Sequence, residues 1–300
     1  MHQIQWQDRF NIGVEIVDQA HRRLFSIVQK IMDLYLEKHE DRFACVEGIK
    51  YFKAYAIQHF AEEEAYMREI GYSGYPAHKR HHDRMKLETL PALEQALYES
   101  DFSIEAVQRF IGVCTGWLTG HIIMEDRAIT GGSFRDFPLF QPDGQLALVR
   151  GMILTPLQEM FGSEVQLIGS FTTRRSVADA RYYQLIYRTG DGRRLRFILV
   201  IGESMLRRAA GLMFGMELYN RSEIVRFAVQ EIAQNLVQRA AATFEKDPNV
   251  YQLEEERTLE SREFDQIFQE RAPRHSLLFR IKEDCFALCF DLLDAGGQVA

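Results

Sequence analysis

A carboxylate set into an apolar helical stripe restricts what this chain can fold into more than its composition does. From Phe43 to Ile70 the spacing predicts one long helix, with an inner stripe of Val46, Ile49, Phe52, Ala56, His59, Phe60, Glu63 and Met67. His59 and Glu63 stand four apart, so their side chains share a face, one turn over the next. A charge in such a stripe is costly unless it is paired or bound to a cation. Two readings are open for the pair: a surface ion pair, or an imidazole and a carboxylate turned toward one metal centre. Glu62 and Glu64 read as solvated.

The rest of the N-terminal half supplies further inward-facing donors. A helix from near Val17 keeps a 3.6 period through Leu24, Ile27, Val28 and Ile31, and His21 extends its inner face by one turn. Taken alone, His21 reads as a satisfied core imidazole. Trp6, Phe10 and Ile12 precede this helix and are expected to pack across the bundle end. After the turn GYSGYP, a third helix carries His78 and His82 four apart, with His81 on another face; Pro91 should kink or restart it. A fourth, from about Ser103 to Arg127, turns Val107, Phe110, Ile111, Cys114, Trp117, Leu118 and His121 inward. Asp126 follows His121 by five residues, which an α-helix does not stack, so it must reach the centre from the helix end or through a local distortion. Four such helices with short links predict an up-down-up-down bundle, an architecture whose core houses metal sites.

The segments D-Q-x-H at 18–21, H-F-x-x-E-E from His59, Y-P-x-H-x-x-x-H at 75–82 and W-L-x-x-H-I-x-x-x-D at 117–126 together resemble the bacterial hemerythrins over residues 1–132. The resemblance implies a non-haem di-iron centre, oxo- or hydroxo-bridged, that binds O2. By it, His78, His82 and His121 would hold one iron, His21 and His59 the other, and Glu63 and Asp126 would bridge the two. Trp117 and Leu118 would line the ligand pocket; as plain core residues they would look the same. Five imidazoles with two carboxylates suit iron. A ferritin-like oxidase centre would use more carboxylates.

Length and composition bound the remainder. Three hundred residues suggest roughly two domains at about 150 residues each. A net charge of −7 with no basic stripe argues against nucleic acid and anionic membrane surfaces. No apolar run approaches the roughly 20 residues a membrane-spanning helix needs, and MHQIQWQDRF does not read as a secretory signal. Cys45, Cys114, Cys285 and Cys289 form no C-x-x-C pair and read as free thiols, so a cytoplasmic location is expected.

TGGSFRDFPLFQPDGQ, rich in Gly and Pro, reads as a linker over 133–145 that packs partly through Phe134, Phe137 and Phe140. Beyond it the pattern becomes α/β over 146–300 with mainly antiparallel pairing. A helix, LVRGMILTPLQEMFG, leads into strands at 165–168, 182–188 and 195–202, the last two joined by the hairpin turn TGDGRR. Two helices follow, SMLRRAAGLMFGMEL and a long one from the N-cap Ser222, with a buried stripe of Val225, Val229, Ile232, Leu236 and Ala240. After a charged stretch come two strands around a turn at Lys282–Asp284. Glu231 and Gln234 face away from the stripe and read as a solvated polar face, with Asn235 beside them.

MILTPLQEMFG, AAGLMFGMEL and VQEIAQNLVQRAA are similar to the CheX-like chemotaxis phosphatases over residues 146–294. That family uses a Glu-x-x-Asn pair, in which the Glu contacts a lysine of a phosphorylated receiver domain and the Asn orients the attacking water. Glu231 takes the first place and Gln234 the second, a departure that keeps an amide with one more methylene. The two resemblances imply an oxygen- or redox-responsive signalling protein. O2 or NO would bind the first domain, and the second would bind a response-regulator receiver, dephosphorylate it as an aspartyl-phosphate phosphatase, and pair into a homodimer. The alternatives are a second domain that only docks or dimerises, and O2 storage or delivery.

Overall fold

The computed structural model describes residues 6–34, 42–131, 153–154, 157–161, 165–172, 177–190, 192–214, 222–244 and 252–293. By contacts the chain divides into two compact units, Met1–Asp136 with Ala210–Glu231, and Phe137–Ala209 with Ile232–Ala300. The proposed linker at 133–145 lies outside the described residues.

The helical unit opens with a 3-10 turn, Asp8–Phe10, and helix α1, Glu15–Met32. Asp18 ties the two together. Its carboxylate accepts from the backbone N–H of Ile12 at 2.8 Å and of Gly13 at 3.1 Å, and Gly13 takes the left-handed φ of +87° that the bend requires. Phe10 is thereby seated against Phe25, ring centroids 5.7 Å apart. Helix α2, Arg42–Glu69, buries Cys45, Ile49, Phe52, Ala56, His59, Phe60, Glu63, Glu64 and Met67. This is the expected stripe from Ile49 to Met67 with Glu64 added; at its start Cys45 is buried and Val46, expected there, is only partly covered.

The third and fourth helices are each interrupted once. Helix α3, Tyr75–Arg84, passes into a π-helical turn, Met85–Thr89, and resumes as α4, Leu90–Glu99, with Pro91 in its first turn. Proline cannot donate to the helix ladder and its ring collides with the carbonyl four residues back, so the wider turn sits where the regular helix could not continue. Helix α5, Ile104–His121, is capped by Ser103, whose hydroxyl accepts from the Ala106 N–H at 3.2 Å. It passes into a second π-helical turn, Ile122–Asp126, and a last α-turn, α6, Arg127–Ile129. Helix α1 packs on α2 and α5, α3 on α2, and α4 on α5.

Within the same unit α5 also meets the start of helix α9, Ser222–Phe244. Two glycines make room for it. A Cβ on Gly112 would stand 2.5 Å from the Ile224 carbonyl oxygen, and one on Gly116 2.5 Å from that of Ala228. Ile224, Phe227 and Ala228 are buried there, and the Arg109 guanidinium lies over the Phe227 ring at 5.7 Å. Glu231 is also buried, and with burial the larger cause it raises the pKa of the Cys114 thiol.

The second unit is built on a six-stranded, wholly antiparallel sheet in the order β1-β5-β6-β3-β2-β4. Its strands are β1 (Gln166–Gly169), β2 (Ala180–Arg188), β3 (Arg194–Gly202), β4 (Gln252–Leu259), β5 (His275–Ile281) and β6 (Asp284–Leu293). Helix α7 is described at 153–154 and 157–161. Helix α8 spans Glu203–Phe214 and α10 Ser261–Arg271. The hairpin joins β2 and β3 as expected. Tyr182, Ile198, Val200, Ala287 and Cys289 line one face of the sheet with Phe264 of α10. The alternate residues Tyr183, Leu185, Tyr187, Phe197 and Leu199 are buried as well, so both faces are covered.

The charged stretch after Pro248 forms β4 and α10, which the hydrophobic pattern does not announce. β4 is an edge strand with four consecutive exposed residues, and charges suit such an edge. Helix α10 starts with a reciprocal capping box between Glu260 and Glu263. Among the described residues no helix is long and apolar enough to cross a membrane. All four cysteines are free.

Candidate metal centre

Each helix of the bundle delivers its donors from the inner face. α1 brings His21, α2 brings His59 and Glu63, α3 brings His78 and His82, and α5 with its π-helical turn brings His121 and Asp126; all seven are buried. They form two groups that meet at one carboxylate. In Glu63, His78, His82 and His121 one donor atom from each lies within 4.8 Å of the others, and the same holds for His21, His59 and Glu63.

Asp126 spans the same two groups. Its Oδ1 lies 3.0 Å from His121 Nε2 and 3.3 Å from His78 Nε2, and its Oδ2 lies 3.2 Å from His21 Nε2. The π-helical turn accounts for this reach. An i→i+5 turn places residues five apart on one face, whereas an α-turn rotates them well away from each other.

The donor atoms are arranged for a cation. The Nε2 atoms of His78, His82 and His121 stand 3.0–3.2 Å from one another, an arrangement that turns ring lone pairs on each other unless positive charge lies among them. Glu63 Oε1 and both Asp126 oxygens are buried and make no hydrogen bond of good geometry, as are the Nδ1 atoms of His21 and His78. Buried polar atoms without partners are rare and costly. The residues fit a pair of metal ions.

Protonation agrees with that fit for two of the rings, and a third is held charged by the carboxylates beside it. Burial, with a smaller contribution from His21, lowers His59 to about 3, and burial lowers His121 to about 4, so both rings are neutral donors at pH 7. Burial would lower His78 too, but the hydrogen bond and charge of Glu63, with Asp126 and Glu125, outweigh it and raise that ring to about 9. Burial and Asp126 push the Glu63 carboxyl upward, yet His78 and His82 hold it below the ordinary carboxylate range. Burial likewise opposes ionisation of Asp126, and His121 and His21 overcome it.

The surrounding rings fix the imidazoles. Phe60 stacks on His82 and Trp117 on His121, each with centroids 4.3 Å apart and planes 13° from parallel. Trp117 therefore flanks the three-histidine group, with Leu118 buried next to it in sequence. Beside the two-histidine group stands Trp6, 6.3 Å from His21.

Glu64 departs from the sequence reading. It is buried, and its Oε1 lies 3.3 Å from His82 Nδ1. Position alone could not reveal this, because the partner comes from another helix. His81, on another face of α3, is partly buried with Nε2 4.0 Å from Glu125.

Glu231 and Gln234 stand on α9, and neither is the solvated residue their pattern suggested. Both are buried, because the helix is covered on its polar side as well as along its apolar stripe. The Gln234 amide donates to Glu256 of β4 at 3.3 Å.

The hemerythrin HHE cation binding domain family matches residues 12–130. Bacteriohemerythrin of Clostridium acetobutylicum is 33% identical over 129 residues, spanning 41% of this chain and 95% of that protein. Bacteriohemerythrin of Pseudomonas aeruginosa is 25% identical over 126 residues, with 42% and 78% covered, and myohemerythrin of Riftia pachyptila is 29% identical over 89, with 29% and 68% covered. Among solved structures, chemotaxis protein CheX from Vibrio vulnificus is similar to this chain at a TM-score of 0.37 and 14% identity, covering 49% of this chain and 99% of CheX. A putative chemotaxis protein from Desulfovibrio vulgaris Hildenborough gives the same score and identity over 50% and 96%. Likeness at that level carries no argument about activity. For residues 12–130 the matched family and the full-length relative agree with the donor geometry: the chain belongs to the hemerythrins.

Proposed function

We propose that the helical unit holds a non-haem di-iron centre that binds O2, and that the protein is an oxygen- or redox-responsive signalling protein acting on a phosphorylated receiver domain. His78, His82 and His121 would hold one iron, His21 and His59 the other, and Glu63 and Asp126 would be shared between them. The observation that carries the metal assignment is Asp126, whose two oxygens face different groups of imidazoles. The smaller donor set, His21 and His59 with the shared carboxylates, would leave room for an exogenous ligand, the feature that separates binding sites from closed structural ones. When bound, the irons supply reversible coordination of O2. The chain's own residues keep His59 and His121 neutral, hold His82 and His121 by stacking and exclude bulk water.

The signalling part rests on the CheX-like motif. Glu231 would contact the receiver, and Gln234 would orient water for hydrolysis of the aspartyl phosphate. Its link to the iron centre would be α5, which carries His121 and Trp117 and, five and nine residues before His121, Gly116 and Gly112 against α9. One observation favours a second reading, a module that docks a receiver or dimerises without catalysis: the Gln234 amide is engaged by Glu256.

The optical spectrum of iron-loaded protein tests the first half. Wild type is expected to show ligand-to-metal charge-transfer bands that respond to O2, and His59→Ala to lose them; bands unchanged by the substitution would remove His59 from the ligand set. Hydrolysis of a phosphorylated receiver by wild type and Glu231→Ala, each in deoxy and oxidised states, tests the second. Equal rates for the two proteins would leave the docking reading, and equal rates in the two states would end the sensor reading.

A further inference from the structure

We propose that Glu64 is a positioning residue for the three-histidine iron, accepting from the Nδ1–H of His82 and thereby presenting the Nε2 lone pair of that ring to the metal. The inference rests on the di-iron reading and assigns a role to a residue outside the seven donors. Glu64 follows Glu63 directly on α2, so the two carboxylates leave the helix about 100° apart. One meets the Nε2 side of His82 at 3.1 Å, the other its Nδ1 side at 3.3 Å.

The ring is thus held on three sides. Glu63 and the other imidazole nitrogens lie at its inner edge, Glu64 at its outer edge, and Phe60 on its face. Phe60 and Glu64 are one helical turn apart on α2, so a single stretch of that helix supplies both outer restraints. Other rings of the centre are held differently: the Nδ1 atoms of His21 and His78 are buried without a hydrogen-bond partner.

A carboxylate on the distal nitrogen does two things to an imidazole donor. It selects the tautomer with the proton on Nδ1, and its negative charge makes Nε2 more basic toward a cation. Glu64 can keep that charge while nearly buried because Lys79 Nζ lies 3.9 Å and an Arg68 guanidinium nitrogen 4.0 Å from its outer oxygen. These two cations sit at the surface end of the chain of contacts. The line Arg68/Lys79, Glu64, His82 therefore runs from solvent to the metal position.

Anaerobic Fe2+ binding in competition with a chelator, on the full chain, tests this with Glu64→Ala, Glu64→Gln and the exposed neighbour Glu62→Ala. Loss of a partner of this type typically weakens metal affinity about 10- to 100-fold, and that is the expectation for Glu64→Ala. Glu64→Gln keeps an acceptor without the charge and should lose only several-fold, while Glu62→Ala stays at the wild-type value. A second readout needs no metal: in iron-free protein labelled with 15N-histidine, the protected Nδ1–H of His82 should be present in wild type and Glu64→Gln and absent in Glu64→Ala. Should Glu64→Ala not fold, the Gln variant decides by itself. Several-fold weaker Fe2+ with the Nδ1–H retained supports the role, and wild-type affinity overturns it. A wild-type chain that takes up no Fe2+ would instead overturn the di-iron reading, so the two failures are distinguishable.

Discussion

Gly116 shows how one residue can reverse the sign that local propensity assigns. In a helix interior, Gly→Ala ordinarily stabilises by up to about 1 kcal/mol. At Gly116 the new Cβ would meet the Ala228 carbonyl oxygen at 2.5 Å and its Cα at 2.7 Å, backbone atoms that cannot rotate aside. Overpacking of this kind costs about 1–3 kcal/mol. Gly211, inside α8, has no such neighbour among the described residues. Gly116→Ala is therefore expected to lower the urea midpoint and Gly211→Ala to raise it, although the chemistry is identical. Midpoints moving in the same direction would mean the close approach of α5 to α9 is not maintained in solution. That His59, Glu63 and their neighbours on the other helices face inward was legible at this scale, because a charge in an apolar stripe needs a compensating partner and helical spacing names the face; their assignment to a metal came from the family resemblance. Glu64, Glu231 and Gln234 were not. Whether a polar residue beside a stripe meets water or protein depends on what covers that flank, and the helix itself does not say.

At the scale of elements, legibility followed periodicity. The four bundle helices, the β2–β3 hairpin and the β5–β6 pair all carry apolar patterns strong enough to fix their type. The π-helical turn at Ile122–Asp126 was legible only as a need: His121 and Asp126 had to meet, and five-residue spacing forbade it in an α-helix. The edge strand β4 was hidden because charges replace the alternation that marks a strand. Register within the sheet has its own buried marker. Arg196 and Asp291 are direct partners across β3 and β6, their side chains pair at 2.7 Å, and Asp291 also accepts from the Arg274 N–H at 3.3 Å. Both are largely buried, so removing one partner strands the other. Asp291→Ala is expected to cost about 3 kcal/mol, and Asp291→Leu with Arg196→Leu to cost less than the single change. Chemical denaturation of the single and double variants checks this. If the single change is nearly neutral, the pair does not specify the register.

For the molecule as a whole, α9 is the element the two units have in common. Its residues to Glu231 group with the helical unit and those from Ile232 with the sheet unit. A ligand that binds only the folded state stabilises whatever is cooperative with its site, by RT ln(1 + [L]/Kd). Iron loading should therefore slow amide exchange first in the helices that supply donors, α1, α2, α3 and α5. The start of α9 supplies no metal donor, but it packs on α5 through Gly112 and Gly116. If that packing transmits the state of the centre, exchange at 224–231 slows with iron, and the strands β2, β3 and β6 change less. If the bundle and the sheet unit are independent, protection at 224–231 is the same in iron-free and iron-loaded protein. Hydrogen exchange read by mass spectrometry separates the cases without knowledge of the partner. Repeating it on Gly116→Ala supplies the control, since a change at 224–231 that passes through the α5 seam must weaken when the seam is wedged open. A response of α9 that survives this substitution intact would have to travel by another route, and the role given to α5 in signalling would fall.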